Sequence, residues 1–451
     1  MPGSSRRPPQ HIFATLLVTA SLTVGVLLFW MGQRPSPISA KGFSYTPSVQ
    51  LSPGPINIGS SSNDVVLRMF TPSQGWAVGP PGKGRGVIHD AVLLTDDGGA
   101  RWTNVTPPDY PLDADRSEYF LDINHAWVAV SPPLSRSLGG PVSMTVFRTS
   151  DRGRSWRRST FQVSSGSPAQ LVFVDAEHGW LVMQVRNPDG TGGSAAYRTM
   201  DGGRDWQPTS LPEPAVIGGP NLSPYGPDMQ HISCEPFAFA AFSFVDPATG
   251  WSAGRCDGGP PRLYVQVTTD GGDSWHQVNL PPVPTTTRCP CVTSATLPIF
   301  TSRQDGTFVV GVQQIVTICE LQPTPGFECQ SENKAVGSFL YATHDGGSTW
   351  AGRELPALST GGDISFIDAR NGFFAGSTYP PTTRGGINFD RFFVTRDGGV
   401  TWAVLPISGP FRGGSLQFVN SSTGWALRLG QLVRSTDGGR TWTTLVPSLT
   451  R

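Results

Sequence analysis

Seven aspartates in this chain stand where chemistry could be done. Asp97, Asp151, Asp201, Asp270, Asp345, Asp397 and Asp437 each follow a Ser or Thr by two residues. Each precedes a Gly by two and a tryptophan by five, namely Trp102, Trp156, Trp206, Trp275, Trp350, Trp402 and Trp442. A carboxylate beside a hydroxyl, on a glycine-bearing turn, could serve as a general acid–base or as a metal ligand. Seven faithful copies suit an architecture better than one active site, which needs a few unlike groups in one place. In such a turn the Asp side chain accepts hydrogen bonds from backbone N–H groups two or more residues on. The Gly supplies a positive φ, and the Trp ring is left to bury against a sheet. The spacing predicts a structural role for all seven.

The other candidate groups form no catalytic set. Glycoside hydrolysis normally needs two carboxyl groups flanking the scissile bond, one of them held protonated. Asp122, Asp175, Asp246 and Asp368 recur in a second motif, where capping a turn is the simpler role, and the glutamates recur in no motif. The seven His show no metal-ligand spacing, and Cys289-Pro-Cys291 is too tight for a zinc knuckle and has no second close pair. No Gly-Gly pair opens a helix after a strand as a phosphate loop would. No cofactor or metal is expected.

Lys plus Arg number 33 and Asp plus Glu 33, so the net field gives no reason to expect a nucleic-acid partner. The 54 Gly and 42 Pro lie between aromatic-rich apolar runs and read as turns of an all-β protein. Residues 1–11 carry Arg6 and Arg7, and residues 12–31 form an uncharged run of 20, long enough to span a bilayer. The reading is a cytoplasmic N-terminus, a transmembrane signal-anchor at 12–31 and a Ser/Pro-rich linker at 32–62, with Ser39-Ala40 as a small-residue site if the anchor is instead cleaved. The membrane is thus one expected partner, through this helix. All six cysteines, Cys234, Cys256, Cys289, Cys291, Cys319 and Cys329, follow the run, as expected for disulfides in an exported, extracytoplasmic domain.

Successive repeat tryptophans are 54, 50, 69, 75, 52 and 40 positions apart, a period near 50 with two enlarged units. Each unit holds four short apolar runs with turn residues between them, which predicts one antiparallel sheet. Seven such sheets set radially over 63–449 make a seven-bladed β-propeller of four-stranded antiparallel blades. The second motif pairs Phe120 with Trp127, Phe173 with Trp180, Phe244 with Trp251, Phe366 with Phe373 and Phe418 with Trp425, seven residues apart, and is placed in the inner hairpin. Phe70 to Trp76 is one residue shorter and Phe300 to Phe308 one longer, so those two hairpins are expected to differ. The last outer strand is expected to run from Trp442 to about Pro447, with no blade shared between the chain ends.

The repeated turn resembles the Asp-box, or bacterial neuraminidase repeat. With the run Gly75-Trp-Ala-Val-Gly79, it is most similar to the propellers of the photosystem II assembly and stability factor family. That resemblance implies a protein-binding or membrane-complex assembly scaffold, with the boxes structural and away from the ligand face. Sialidases and xyloglucan-degrading glycosidases carry the same box, so a carbohydrate-active enzyme is the alternative. Against it, Val66-Leu-Arg68-Met-Phe70 lacks the Ile-Pro of a sialidase, and neither an arginine triad nor a Tyr–Glu pair is assignable.

In a propeller, the link from one blade's outer strand to the next inner strand shares a face with the loop between strands two and three. All six cysteines then fall on one face, opposite the boxes. The expectation is Cys234–Cys256, with Cys289 and Cys291 joined to Cys319 and Cys329 in either order. The insertions of blades four and five on that face are the expected docking surface for a protein.

Overall fold

The computed structural model describes residues 38–39, 43–45, 66–78, 91–111, 114–132, 141–163, 166–186, 192–212, 233–236, 242–257, 262–283, 291–321, 327–358, 364–377, 388–389, 391–406, 411–412, 416–428 and 431–450. The fold lies in the unit Ser39–Arg451. The apolar run at 12–31 is outside the described residues, and among those described no helix is long and apolar enough to cross a membrane.

Each repeat folds as one antiparallel sheet. Blade 3 shows the plan, with Ser167–Phe173, Gly179–Arg186, Gly192–Thr199 and Asp205–Thr209 paired in sequence order. Blades 1, 2, 6 and 7 repeat it, and in blades 4 and 5 the innermost strand comes in two pieces. Turn residues separate runs whose buried faces are Val, Leu, Phe and Trp, as a half-buried pleated surface requires.

Aromatic stacks join the sheets into a ring. Trp76 stacks on Phe120 of blade 2 at 5.4 Å between ring centroids, Trp127 on Phe173 of blade 3 at 3.8 Å, and Trp180 on Phe244 of blade 4 at 3.5 Å. Trp251 meets Phe300 of blade 5 at 4.0 Å, and Phe373 meets Phe418 of blade 7 at 3.6 Å. Between blades 5 and 6 the core is aliphatic on one side, Val309 and Leu340 packing with Phe374 and Phe393. Trp425 and Leu432 of blade 7 pack with Met69, Leu93 and Trp102 of blade 1, which closes the circle. The aromatics of the second motif therefore pair across blades. In blades 1 to 4 each Trp meets the Phe of the following blade, and such a Phe takes the box Trp of its own sheet edge-on, as in Phe173–Trp206 and Phe418–Trp442.

The register removes the expected difference of blades 1 and 5. Phe120 lies opposite Ala126, Phe173 opposite Gly179 and Phe418 opposite Gly424; the corresponding pairs in blades 1 and 5 are Met69–Gly75 and Phe300–Gly306. The turns have equal length. Met69 replaces the Phe in blade 1, and Thr307 replaces the Trp in blade 5. One residue along a strand reverses the side chain's face, so Phe308 packs within its own blade on Tyr341 and Trp350. The small residue at the hairpin has a local cause as well: a Cβ on Gly179 would lie 2.5 Å from the Phe173 ring.

The ends also depart from expectation. The outer strand of blade 7 is only Thr443–Thr444, and Ser448–Thr450 then runs parallel to Arg101–Thr103 as a fifth strand on blade 1. Phe43–Tyr45, within the segment read as linker, pairs with Trp156–Arg158 at the outer edge of blade 2. Both additions cover edges that would otherwise stay open. At the axis, Gln417 of blade 7 holds the Met69 backbone of blade 1 with two bonds of 2.8 Å, one to its N–H and one to its carbonyl. Gln417→Ala is expected to lower unfolding free energy by about 1–3 kcal/mol in urea titration, because both backbone groups lose their partner.

Candidate functional site

All seven boxes share one bonding scheme. In box three the Thr199 hydroxyl donates to Asp201 at 2.8 Å and accepts from the Gly203 N–H at 2.8 Å. The same Asp201 oxygen accepts from the Arg204 and Asp205 N–H groups at 2.9 and 3.0 Å. In boxes two, four, five, six and seven the second carboxylate oxygen takes a Ser or Thr hydroxyl four residues on, at 2.5–2.6 Å. Box one uses the Arg101 guanidinium there. Two successive residues of each box take positive φ; Gly202 and Gly203 are at 74° and 87°, and in box two Arg152 takes the first place at 68°.

Every box is tied to its own blade, and boxes one, three and four to the preceding blade as well. The N–H after its Asp donates to the inner-hairpin turn of the same blade, as Gly202 does to the Glu177 carbonyl at 2.8 Å and Gly438 to Ser422 at 2.8 Å. This bond occurs in all seven blades and puts both turns on one face. In boxes three, four and one the inner-hairpin Trp of the preceding blade also donates its indole N–H to that residue's carbonyl: Trp127 to Gly202, Trp180 to Gly271 and Trp425 to Gly98, at 2.9–3.0 Å. Trp102, Trp156, Trp206 and Trp350 are buried, while Trp275, Trp402 and Trp442 are half-buried. In those three the box is thus a clasp between blades, and the inner-hairpin Trp is the partner that the spacing of the box did not reveal.

Electrostatics give the same answer for catalysis. Burial pushes the Asp201 carboxyl up, but the bonds from Asp205, Thr199 and Arg204 outweigh it and hold the group below the usual carboxylate range. The Thr349 hydroxyl and N–H hold Asp345 at about 2, and the Thr401 hydroxyl and N–H hold Asp397 at about 2. In the hairpin turns, burial raises Asp122, Asp175 and Asp368, yet side-chain and backbone bonds from His125, His178 and Asn371 respectively bring each below the usual range. Asp246 makes the same turn with the Ala248 and Thr249 N–H groups. A glycosidase acid needs its pKa raised. Asp122, Asp175, Asp201, Asp345, Asp368 and Asp397 are instead held toward the ionised form.

Other features carry less. Glu118, on the innermost strand of blade 2, lies half-buried 3.4 Å from Arg116. An open cavity of about 650 Å³ on the flank between blades 3 and 4 is lined by Tyr197, Pro208 and Trp275. Among the described residues, no three His, Cys, Asp or Glu gather to hold a metal.

The face opposite the boxes is built differently. In blade 5, Gly306–Leu321 and Phe327–Thr343 run for 16 and 17 residues, where the second strand was expected to be short. Among the described residues the inner neighbour reaches to Cys291, opposite Gln313, and the outer neighbour pairs with Phe339–Ala342. Beyond that the hairpin continues as a two-stranded arm, from Gln314 opposite Lys334 to Leu321 opposite Phe327. Eight residues at about 3.3 Å each carry it roughly 26 Å past the blade. The register places Cys234 opposite Cys256 and Cys319 opposite Cys329. Cys291 lies six residues, roughly 20 Å, short of Cys319 along the strand, so the expected bridges from Cys291 to Cys319 or Cys329 do not fit. Cys289 is outside the described residues.

No family model matches this chain, and no curated protein sequence matches it. Solved structures do. The chain is similar to YCF48 bound to a D1 peptide, with 17% identity over 87% of this chain and 97% of that one and a TM-score of 0.45. It is similar to the GH93 α-L-arabinofuranosidase of Fusarium graminearum in complex with arabinobiose, at 11% identity over 74% and 91% of the two chains, TM-score 0.38. A Hadza microbial sialidase matches at 14% identity over 83% and 73%, TM-score 0.36. At these identities the likeness is one of fold.

Proposed function

We propose that this protein is a membrane-anchored, extracytoplasmic propeller that binds a protein partner, in the manner of an assembly scaffold, through the face opposite its Asp-boxes. The arm of blade 5 carries the reading. Two strands outrun their blade by eight residues, and among the described residues no further strand pairs with either outer edge of that stretch; such edges are where an extended or β-structured partner adds. On the other face, the box and hairpin-turn carboxylates are spent on backbone N–H groups, which favours binding over hydrolysis.

Excising 314–334 and closing the strands with a short turn is expected to reduce capture of the partner from native membranes at least tenfold, with the urea midpoint unchanged. Undiminished capture would contradict the arm as docking element. Turnover on a panel of glycosides that disappears in Glu118→Gln would replace the binding reading with an enzymatic one.

A further inference from the structure

The arm is a structure in need of a fastening. An isolated two-stranded ribbon is marginal in water, and in this one Glu320 stands directly opposite Glu328, a like-charged cross-strand pair that works against closure. One position nearer the blade, Cys319 stands directly opposite Cys329. Directly opposed residues in an antiparallel pair have Cα atoms about 4.5 or 5.5 Å apart, according to whether they exchange hydrogen bonds. Both spacings lie within the roughly 4.4–6.8 Å that a disulfide spans. The geometry therefore does not depend on which kind of pair this is.

We propose that Cys319 and Cys329 form a cross-strand disulfide that fastens the arm of blade 5, with the equally opposed Cys234 and Cys256 forming a second bridge across blade 4. In each bridge one S–S bond forms and two S–H bonds break. The two electrons and two protons pass to a disulfide oxidant by thiol–disulfide exchange, which is reduced to a dithiol. The presence of the bridge in cells rests on the extracytoplasmic reading, because a reducing compartment would keep the thiols open. The pairing itself rests on register alone. The bridge at Cys319 lies two residues from the end of the strand, so it restrains the arm without touching the blade-to-blade core.

The test is a non-reducing peptide map of the full chain, taken once from native membranes after thiol blocking and once from purified reduced protein reoxidised with glutathione disulfide. Joined peptides containing Cys319 and Cys329 are expected in both. Cys291 joined to either, or free thiols at Cys319 and Cys329 after reoxidation, would overturn the pairing. Thiols free in membranes but paired after reoxidation would support the register and count against the extracytoplasmic location instead. Cys329→Ser is expected to speed cleavage by a glutamate-specific protease at Glu320, Glu328 and Glu332 at least tenfold while leaving the urea midpoint in place. Unchanged cleavage would overturn the fastening role.

Discussion

Trp180→Ala is expected to lower the unfolding free energy by about 3–5 kcal/mol in urea titration, the cost of emptying a buried aromatic site. Trp180 is 2% exposed, stacks on Phe244 of the next blade at 3.5 Å, and donates to the Gly271 carbonyl at 2.9 Å. The substitution therefore removes core volume and a buried hydrogen bond from one interface of a closed ring. Trp180→Phe separates the two losses. Blade 6 already carries Phe373 at the equivalent position, stacked on Phe418 at 3.6 Å, so a phenyl ring fits the site. Its cost is expected to be about 1–2 kcal/mol, chiefly from the orphaned Gly271 carbonyl. Equal losses in the two variants would show that the hydrogen bond, and not the stack, holds blades 3 and 4 together.

Asp201→Ala is expected to cost about 1–3 kcal/mol at pH 7, because it leaves the Arg204 and Asp205 N–H groups and the Thr199 hydroxyl without their acceptor. Removing one of the exposed box aspartates, such as Asp345, is expected to cost less, since water replaces the lost partners. The pH dependence has a definite sign. These carboxyls are held below their unfolded value of about 3.9, so between the two values the unfolded chain binds more protons. Their contribution is complete above about pH 4 and is lost as pH falls toward about 2. Stability should be flat from neutrality to about pH 4 and then fall steeply, with a shallower fall in Asp201→Ala. A fall beginning near pH 6 would implicate histidines instead.

The architecture was legible because its signal is local. Eight residues from Thr199 to Trp206 contain the hydroxyl, the carboxylate, the positive-φ glycines and the ring that make one turn, and spacing alone identifies them. The clasp between blades was not legible. Its donor, such as Trp127, sits 75 residues from the acceptor Gly202, and nothing in either neighbourhood names the other. The odd hairpins of blades 1 and 5 misled for a related reason. Aromatic identity stood in for register, whereas the backbone puts Met69 and Thr307 in the repeat positions and turns Phe308 to the other face. The bridges from Cys291 failed on strand length, because Gly306–Leu321 continues well past the point where a blade strand normally ends. The tail Ser448–Thr450 joins blade 1 through backbone bonds that its sequence does not advertise.

On the proposed reading the chain divides its two faces between two tasks. One holds fourteen turns, two in each of seven blades, whose carboxylates and glycines lock the blades in register. The other holds the arm, where the repeats stop agreeing. A photo-crosslinking residue placed at Gln330 on the arm, or at Ser348 in the fifth box, and activated in native membranes tests that division most directly. A discrete protein adduct from position 330 and none from position 348 is the expected result. Adducts from 348 alone, or equally from both, would contradict it.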